Sequence, residues 1–221
     1  MNLSPYARLG VFALLLPAAF AQQSPPPASS SAHAAKPHSD ATPPDAGTLT
    51  DGTYRNPTFA FSCKLPFGWV DRTQQMRDDS ADSGKSRVLL AAFERPPEAT
   101  GNTVNSAVII AAESVSSYPG LKTAAQYFGP LAELTTAKGF KVVNEPYEFP
   151  VDSKPIVRED FSKPMAALTM YQSSLALLQK GYVLSFTFIG GSEDEVTTLI
   201  EGLAFGSPKQ GAGTHPHPAS K

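Results

Sequence analysis

Cysteine occurs once in these 221 residues, as Cys63, and tryptophan once, as Trp69. A single thiol excludes an internal disulfide, so burial has to supply the stability. Thiols are among the most buried side chains, and reactivity needs an exposed, electropositive setting, so Cys63 is expected inside a strand as a small apolar residue. Histidine is scarce as well: His33, His38, His215 and His217 all lie near the ends, and none falls between positions 39 and 214. A Ser-His-Asp or Cys-His apparatus needs its base held rigidly within hydrogen-bonding reach, so histidine-based hydrolysis is not expected. Two imidazoles at 215 and 217 do not make a closed metal site. Charge of one sign is lacking too. The balance of 18 basic and 20 acidic residues leaves a net charge of −2 and gives no reason to expect nucleic acid. No Gly-rich phosphate loop is present, since Gly190-Gly191 has neither a following lysine nor a G-x-G-x-x-G context, and no cofactor is implied.

The one long apolar run is LGVFALLLPAAF at residues 9–20, behind a single basic residue, Arg8. It is shorter than the roughly 20 residues a membrane-spanning helix needs, and Ala19-Phe20-Ala21 has the small-x-small pattern of a signal peptidase site. Residues 1–21 therefore read as a cleavable signal peptide, cut between Ala21 and Gln22. What remains has 17 basic and 20 acidic side chains, a net charge of −3. No cysteine at the cut offers itself for acylation, so a soluble periplasmic or secreted protein is expected.

Residues 22–52 are Pro, Ser, Ala and Thr with almost no large apolar side chain. Such a stretch buries too little to offset its ordering entropy and reads as an extended linker. Residues 207–221 repeat that composition as a tail. Between them, residues 53–206 carry dense and periodic apolar positions. Short strands are expected around Asn56-Pro57, and LPFGW at 65–69 turns the chain. Residues 71–86 are polar and read as a loop. Residues 87–94 and 106–115 read as strands, and 121–138 as a helix that Pro130 kinks or divides in two. Four strands follow at 141–149, 154–162, 166–178 and 182–189, the last two joined by the tight turn Gln179-Lys180-Gly181. In the last strand Tyr182, Leu184, Phe186 and Phe188 share one face, and Val183, Ser185, Thr187 and Ile189 the other. Ser192 with Glu195 has capping-box spacing, and Val196, Leu199, Ile200 and Leu203 form the apolar stripe of a closing helix. Runs of antiparallel strands with one central and one final helix imply an α+β sandwich.

Candidate chemistry is thin. Asp78, Asp79 and Asp82 offer oxygen ligands in DDSADSG, but the spacing departs from the EF-hand and lacks its final glutamate, so a solvated acidic loop is the commoner explanation and calcium binding stays open. Glu193, Asp194 and Glu195 complement a helix dipole. Glu159 and Asp160 alternate faces beside Arg158, which allows a paired acid and base without supporting one. Phe67, Trp69, Tyr147 and Phe149 make a candidate partner or ligand surface, against the more frequent role of such aromatics as core anchors. No catalytic, cofactor-binding or metal-ligating residue is assigned.

The order of elements resembles the PsbP-like and Mog-like fold superfamily. The resemblance rests on the opening strand and turn FAFSCKLPFGWV, the helix LKTAAQYFGPLAEL, the hairpin ALTMYQSSLALLQKGYVLSFTF and a closing helix running to Gly202-Leu203-Ala204-Phe205. It implies a central antiparallel sheet of six to seven strands flanked by helices. Members are generally non-enzymatic accessory or binding proteins, some on photosynthetic complexes and others binding a small GTPase. A GTPase belongs to the cell interior and does not carry over, and the metal sites of photosynthetic relatives use histidines this domain lacks. The expectation is an exported, non-catalytic protein that binds another envelope or secreted protein. A small-molecule binder with an apolar pocket and a carboxylate enzyme without histidine are the alternatives.

Overall fold

The computed structural model describes residues 44–79 and 85–206. The segment read as a signal peptide, most of the segment read as a linker, Asp82, the four histidines and residues 207–221 lie outside them. Within them the chain forms an α+β fold with two antiparallel sheets. The strands, in chain order, are β1 (Thr48–Thr50), β2 (Thr53–Asn56), β3 (Phe61–Lys64), β4 (Val70–Asp71), β5 (Ser86–Phe93), β6 (Ala107–Ser114), β7 (Lys141–Glu148), β8 (Val157–Met165), β9 (Leu168–Gln179), β10 (Tyr182–Gly190) and β11 (Leu203–Phe205). The helices are α1 (Thr73–Asp79), α2 (Ala124–Thr136) and α3 (Glu193–Glu201). Seven strands build the main sheet in the order β4-β5-β6-β10-β9-β8-β7, and four build the second, β1-β2-β3-β11.

The period-2 pattern of β10 decides what lies on each side of the main sheet. Leu184, Phe186 and Phe188 are fully buried toward the second sheet and α3. There Phe186 meets Phe61 edge-on at 5.2 Å and Phe205 at 6.0 Å. Val183, on the other face, packs with Ala176 beneath Tyr127 and Phe128 of α2. Glu113 of β6 ties α2 to the sheet by accepting hydrogen bonds from the Tyr118 hydroxyl and, at 2.7 Å, from Tyr127. Burial raises the Glu113 pKa while the two tyrosine hydrogen bonds oppose the rise. Between β9 and β10 the hairpin turns through Lys180 and Gly181, both at positive φ (52° and 79°), the pattern of a primed turn. Cys63 is fully buried, and burial pushes its thiol up to about 12.

Four expectations from the sequence are corrected. Residues 44–52 belong to the fold rather than the linker: β1 pairs with β2, Leu49 packs on the core, and the Pro44 carbonyl accepts from Arg87. Strand pairing supplies there what composition does not. The polar segment after Trp69 contains β4 and α1 instead of a continuous loop. Asp71 accepts from the Thr73 amide and hydroxyl, and Met76 is the one apolar contact of α1 with the core. Pro130 does not divide α2, because Tyr127, Phe128, Leu131 and Thr135 hold one face on the sheet on both sides of it. Gly129 also spares Pro130 the clash with a preceding side chain. The closing helix stops at Glu201, and Leu203 lies in β11, paired with Cys63. A Cβ on Gly202 would stand 2.4 Å from the Lys64 carbonyl oxygen, so this backbone crossing admits only glycine.

Candidate functional site

Alternation along β8 sends Arg158 and Asp160 to the face that carries α3, and Val157, Glu159 and Phe161 to the face under α2. Register then sets Asp160 opposite Asn144 on β7 and Ser173 on β9, and Arg158 opposite Tyr147. The Asp160 carboxylate accepts four hydrogen bonds, from Ser173 Oγ (2.5 Å), Arg158 Nε (2.7 Å), Asn144 Nδ2 (3.0 Å) and the Tyr147 hydroxyl (3.0 Å). Arg158 Nη2 also donates to Ser173 Oγ at 3.0 Å. The guanidinium carbon lies 4.9 Å from the Phe149 ring centre and 5.9 Å from that of Tyr147, and the two rings stand perpendicular. Cation–π contact and the carboxylate together fix its plane.

Of these residues Asn144, Arg158, Asp160 and Ser173 line a solvent-open cleft of about 380 Å³ between the edge of the main sheet and α3. Val143 and Asn144 form one wall, Glu193 and Thr197 the other, and Tyr171 one end. Burial alone would raise the pKa of Asp160, but the hydrogen bonds of Ser173 and Arg158 and the Arg158 charge outweigh it, and the net shift is downward. An ionised carboxylate whose acceptor sites are filled is a poor general acid or base. The cleft and the β7 edge beside it offer outward the small exposed part of an immobilised guanidinium, Tyr147 and exposed Val143.

A second hollow, of about 420 Å³, lies between β1, β2, α1 and β5. Two of its polar side chains, Arg77 and Thr73, bond to the backbone of β5. Arg77 donates from Nε and Nη2 to the Val88 and Leu89 carbonyls, and the Thr73 hydroxyl accepts from the Ala91 amide. They hold α1 on the sheet.

Of the four aromatics read from the sequence, Tyr147 and Phe149 meet at the Arg158 guanidinium, beside the cleft. Phe67 stands fully exposed at the tip of the turn after β3, while Trp69 packs half-buried against the main core, as Phe149 also does in part. No ring contact joins the two pairs among the described residues. Arg158 and Asp160 do come together, whereas Asn144 and Ser173 were not visible in the sequence, because only strand register brings them to Asp160. Asp78 and Asp79 end α1, where Asp78 accepts from Gln74. Among the described residues no cluster of three or more His, Cys, Asp or Glu side chains has metal-binding geometry.

Glu159 faces the opposite side. It is 1% exposed, one of its carboxylate oxygens has no partner, and burial, then Glu145 and Asp160, push its pKa up to about 7. The folded state thus keeps a proton that the unfolded chain releases near pH 4.5. Stability is therefore expected to fall as pH rises from 4.5 to 7 and to level off above. The loss is on the order of 2 kcal/mol, allowing for solvent screening beside an exposed edge strand. Glu159→Gln should flatten this slope and raise stability at pH 7.5. Urea titrations of both proteins across that range test it, and parallel curves would refute it.

No family model matches the chain, and no curated protein does. Among solved structures, cyanobacterial PsbP (CyanoP) from Synechocystis aligns with a TM-score of 0.43 at 12% identity, over 69% of this chain and 91% of its own. LpqN of Mycobacterium tuberculosis, involved in cell envelope biogenesis, aligns at 0.37 and 12%, over 66% and 83%. A Pseudomonas aeruginosa protein of unknown function aligns at 0.34 and 14%, over 47% and 70%.

Proposed function

We propose that this chain is an exported accessory protein that binds a partner protein, without catalysing a reaction, and that the partner contacts the β7 edge and its cleft. The observation that supports this reading is Arg158, held rigid between Tyr147 and Phe149 and fully countered by Asp160, beside exposed Val143. Tyrosine and arginine fixed in one plane are the side chains that concentrate binding energy at protein interfaces, because little entropy is left to lose. Export rests on the sequence of residues 1–21. No helix among the described residues is long and apolar enough to cross a membrane.

The reading is tested by placing a photo-crosslinking residue at Val143 and, as a control, at Lys180 in the β9–β10 turn. Crosslinking in the native envelope is expected to give one discrete adduct from position 143 and none from 180. Tyr147→Ala should weaken binding of the identified partner at least tenfold, the loss of about 1.4 kcal/mol or more that marks an interface anchor. Equal labelling from both positions, or turnover of a substrate by the purified domain with no adduct, would sink the proposal.

A further inference from the structure

The turn between β8 and β9 is made without a polar side chain. Residues 164–168 read Pro-Met-Ala-Ala-Leu, Met165 pairs with Leu168, and Ala166 and Ala167 make the turn. Ala166 holds φ at 48°, a left-handed conformation normally given to Gly, Asn or Asp. Leu168 is 37% exposed, and Pro164, Ala166 and Ala167 are exposed. A tip surrounded by water ordinarily uses polar turn formers, which relieve the backbone and satisfy its groups. This one carries strain and shows apolar atoms instead.

Lysines surround it. Lys163 sits two residues before Met165 with its ammonium 5.5 Å from the Phe140 ring centre, and Lys141, across from Ser162, flanks the corner from the other face of the sheet. Lys138, just past the end of α2, has its pKa lowered by burial and by the Lys163 charge. No carboxylate is within ion-pairing distance of these three lysines among the described residues. The segments that build this corner, 134–144 and 161–170, contain no Asp or Glu. The α2 carbonyl end and the Phe140 ring soften the repulsion, yet the charges remain without an anion.

We propose that this corner of the sheet docks reversibly on an anionic lipid surface, with Met165 and Leu168 entering the interface and Lys138, Lys141 and Lys163 facing headgroup phosphates. Both halves of the observation are then used: an anion neutralises the lysines, and the apolar tip leaves water. A free phosphate would engage the lysines and leave the tip idle. The proposal goes beyond the partner reading, because it needs no protein partner.

The chain from Gln22 onward, which lacks the apolar run of the signal segment, is sedimented with phosphatidylcholine vesicles with and without phosphatidylglycerol. Binding is expected only with phosphatidylglycerol and should weaken as salt shortens the screening length. Each lysine near such a surface contributes about a fivefold factor, so Lys141→Glu with Lys163→Glu should weaken binding at least tenfold. Leu168→Glu, at an exposed position, should weaken it several-fold with the lysines intact. Circular dichroism and melting confirm that each variant is folded. Absence of vesicle binding overturns the proposal, as does equal binding by the variants. Binding of inorganic phosphate or an acidic peptide unaffected by Leu168→Glu overturns it in favour of a soluble anion or a protein.

Discussion

Replacing Asp160 with asparagine should lower the stability of the fold by about 3 kcal/mol at pH 7, because the substitution leaves the Arg158 guanidinium enclosed without its countercharge. The Arg158 and Asp160 side chains are only 13% and 12% exposed, so water cannot take over the lost role in full. The same change removes an acceptor from Ser173 and Tyr147 and puts a second amide beside that of Asn144. The pH dependence has the opposite sense to that of Glu159. A carboxyl whose folded pKa is lowered contributes stability above its unfolded pKa, near 4, and loses it as pH falls through the folded value. The wild type should therefore weaken toward low pH by this route, and Asp160→Asn should not. A double variant, Arg158→Met with Asp160→Leu, should recover most of the loss, since an apolar pair of similar volume often replaces a buried ion pair at little cost. Thermal and urea unfolding measure all three. A change under about 1 kcal/mol for Asp160→Asn would mean that the pair is solvated rather than structural.

Phe186→Ala should cost about 3–5 kcal/mol, the range for deleting a fully buried aromatic ring. Phe186 is 0% exposed and bridges the two sheets through Phe61 and Phe205. The cavity opens where three elements meet, β3, β10 and β11, and none can close it without dragging its own sheet. Leu184 and Phe188, two residues away on the same strand, hold the surrounding core in place. Phe67→Ala is the comparison. That ring is wholly exposed, and its removal should leave the melting temperature unchanged. If the two substitutions destabilised equally, the assignment of the core to the inter-sheet layer would be wrong.

How much of this was legible beforehand depended on whether a feature is local. The β9–β10 hairpin could be read because alternation and the turn at Lys180-Gly181 are written within a dozen residues. The capping of α3 was legible for the same reason: Ser192 accepts from the Glu195 amide at 3.1 Å, as the spacing implied. The Glu195 side chain went elsewhere, to Ser106 and the Gly191 amide, because β6 brings Ser106 alongside. Helix α1 is hidden in the sequence because six of its seven residues are polar, the buried Thr73 among them, and Met76 is its one apolar contact with the core. β11 was missed because Leu203 fits the helical stripe of α3 as well as it fits a strand. The close crossing at Gly202 breaks that tie.

By itself the sequence determined the class of the fold, the face alternation of its longest strands, and the burial of Cys63, since each follows from short-range periodicity and side-chain chemistry. It also carries the leading segment on which the expectation of export rests. Only the tertiary structure decided which polar groups meet. Asp160 joins Asn144, Tyr147, Arg158 and Ser173 because three strands stand in one register, and Lys138, Lys141 and Lys163 flank one corner from the two faces of the sheet because a helix end, a strand start and a hairpin share it. Such juxtapositions are set by the sum of all strand pairings, and no local pattern of residues encodes that sum.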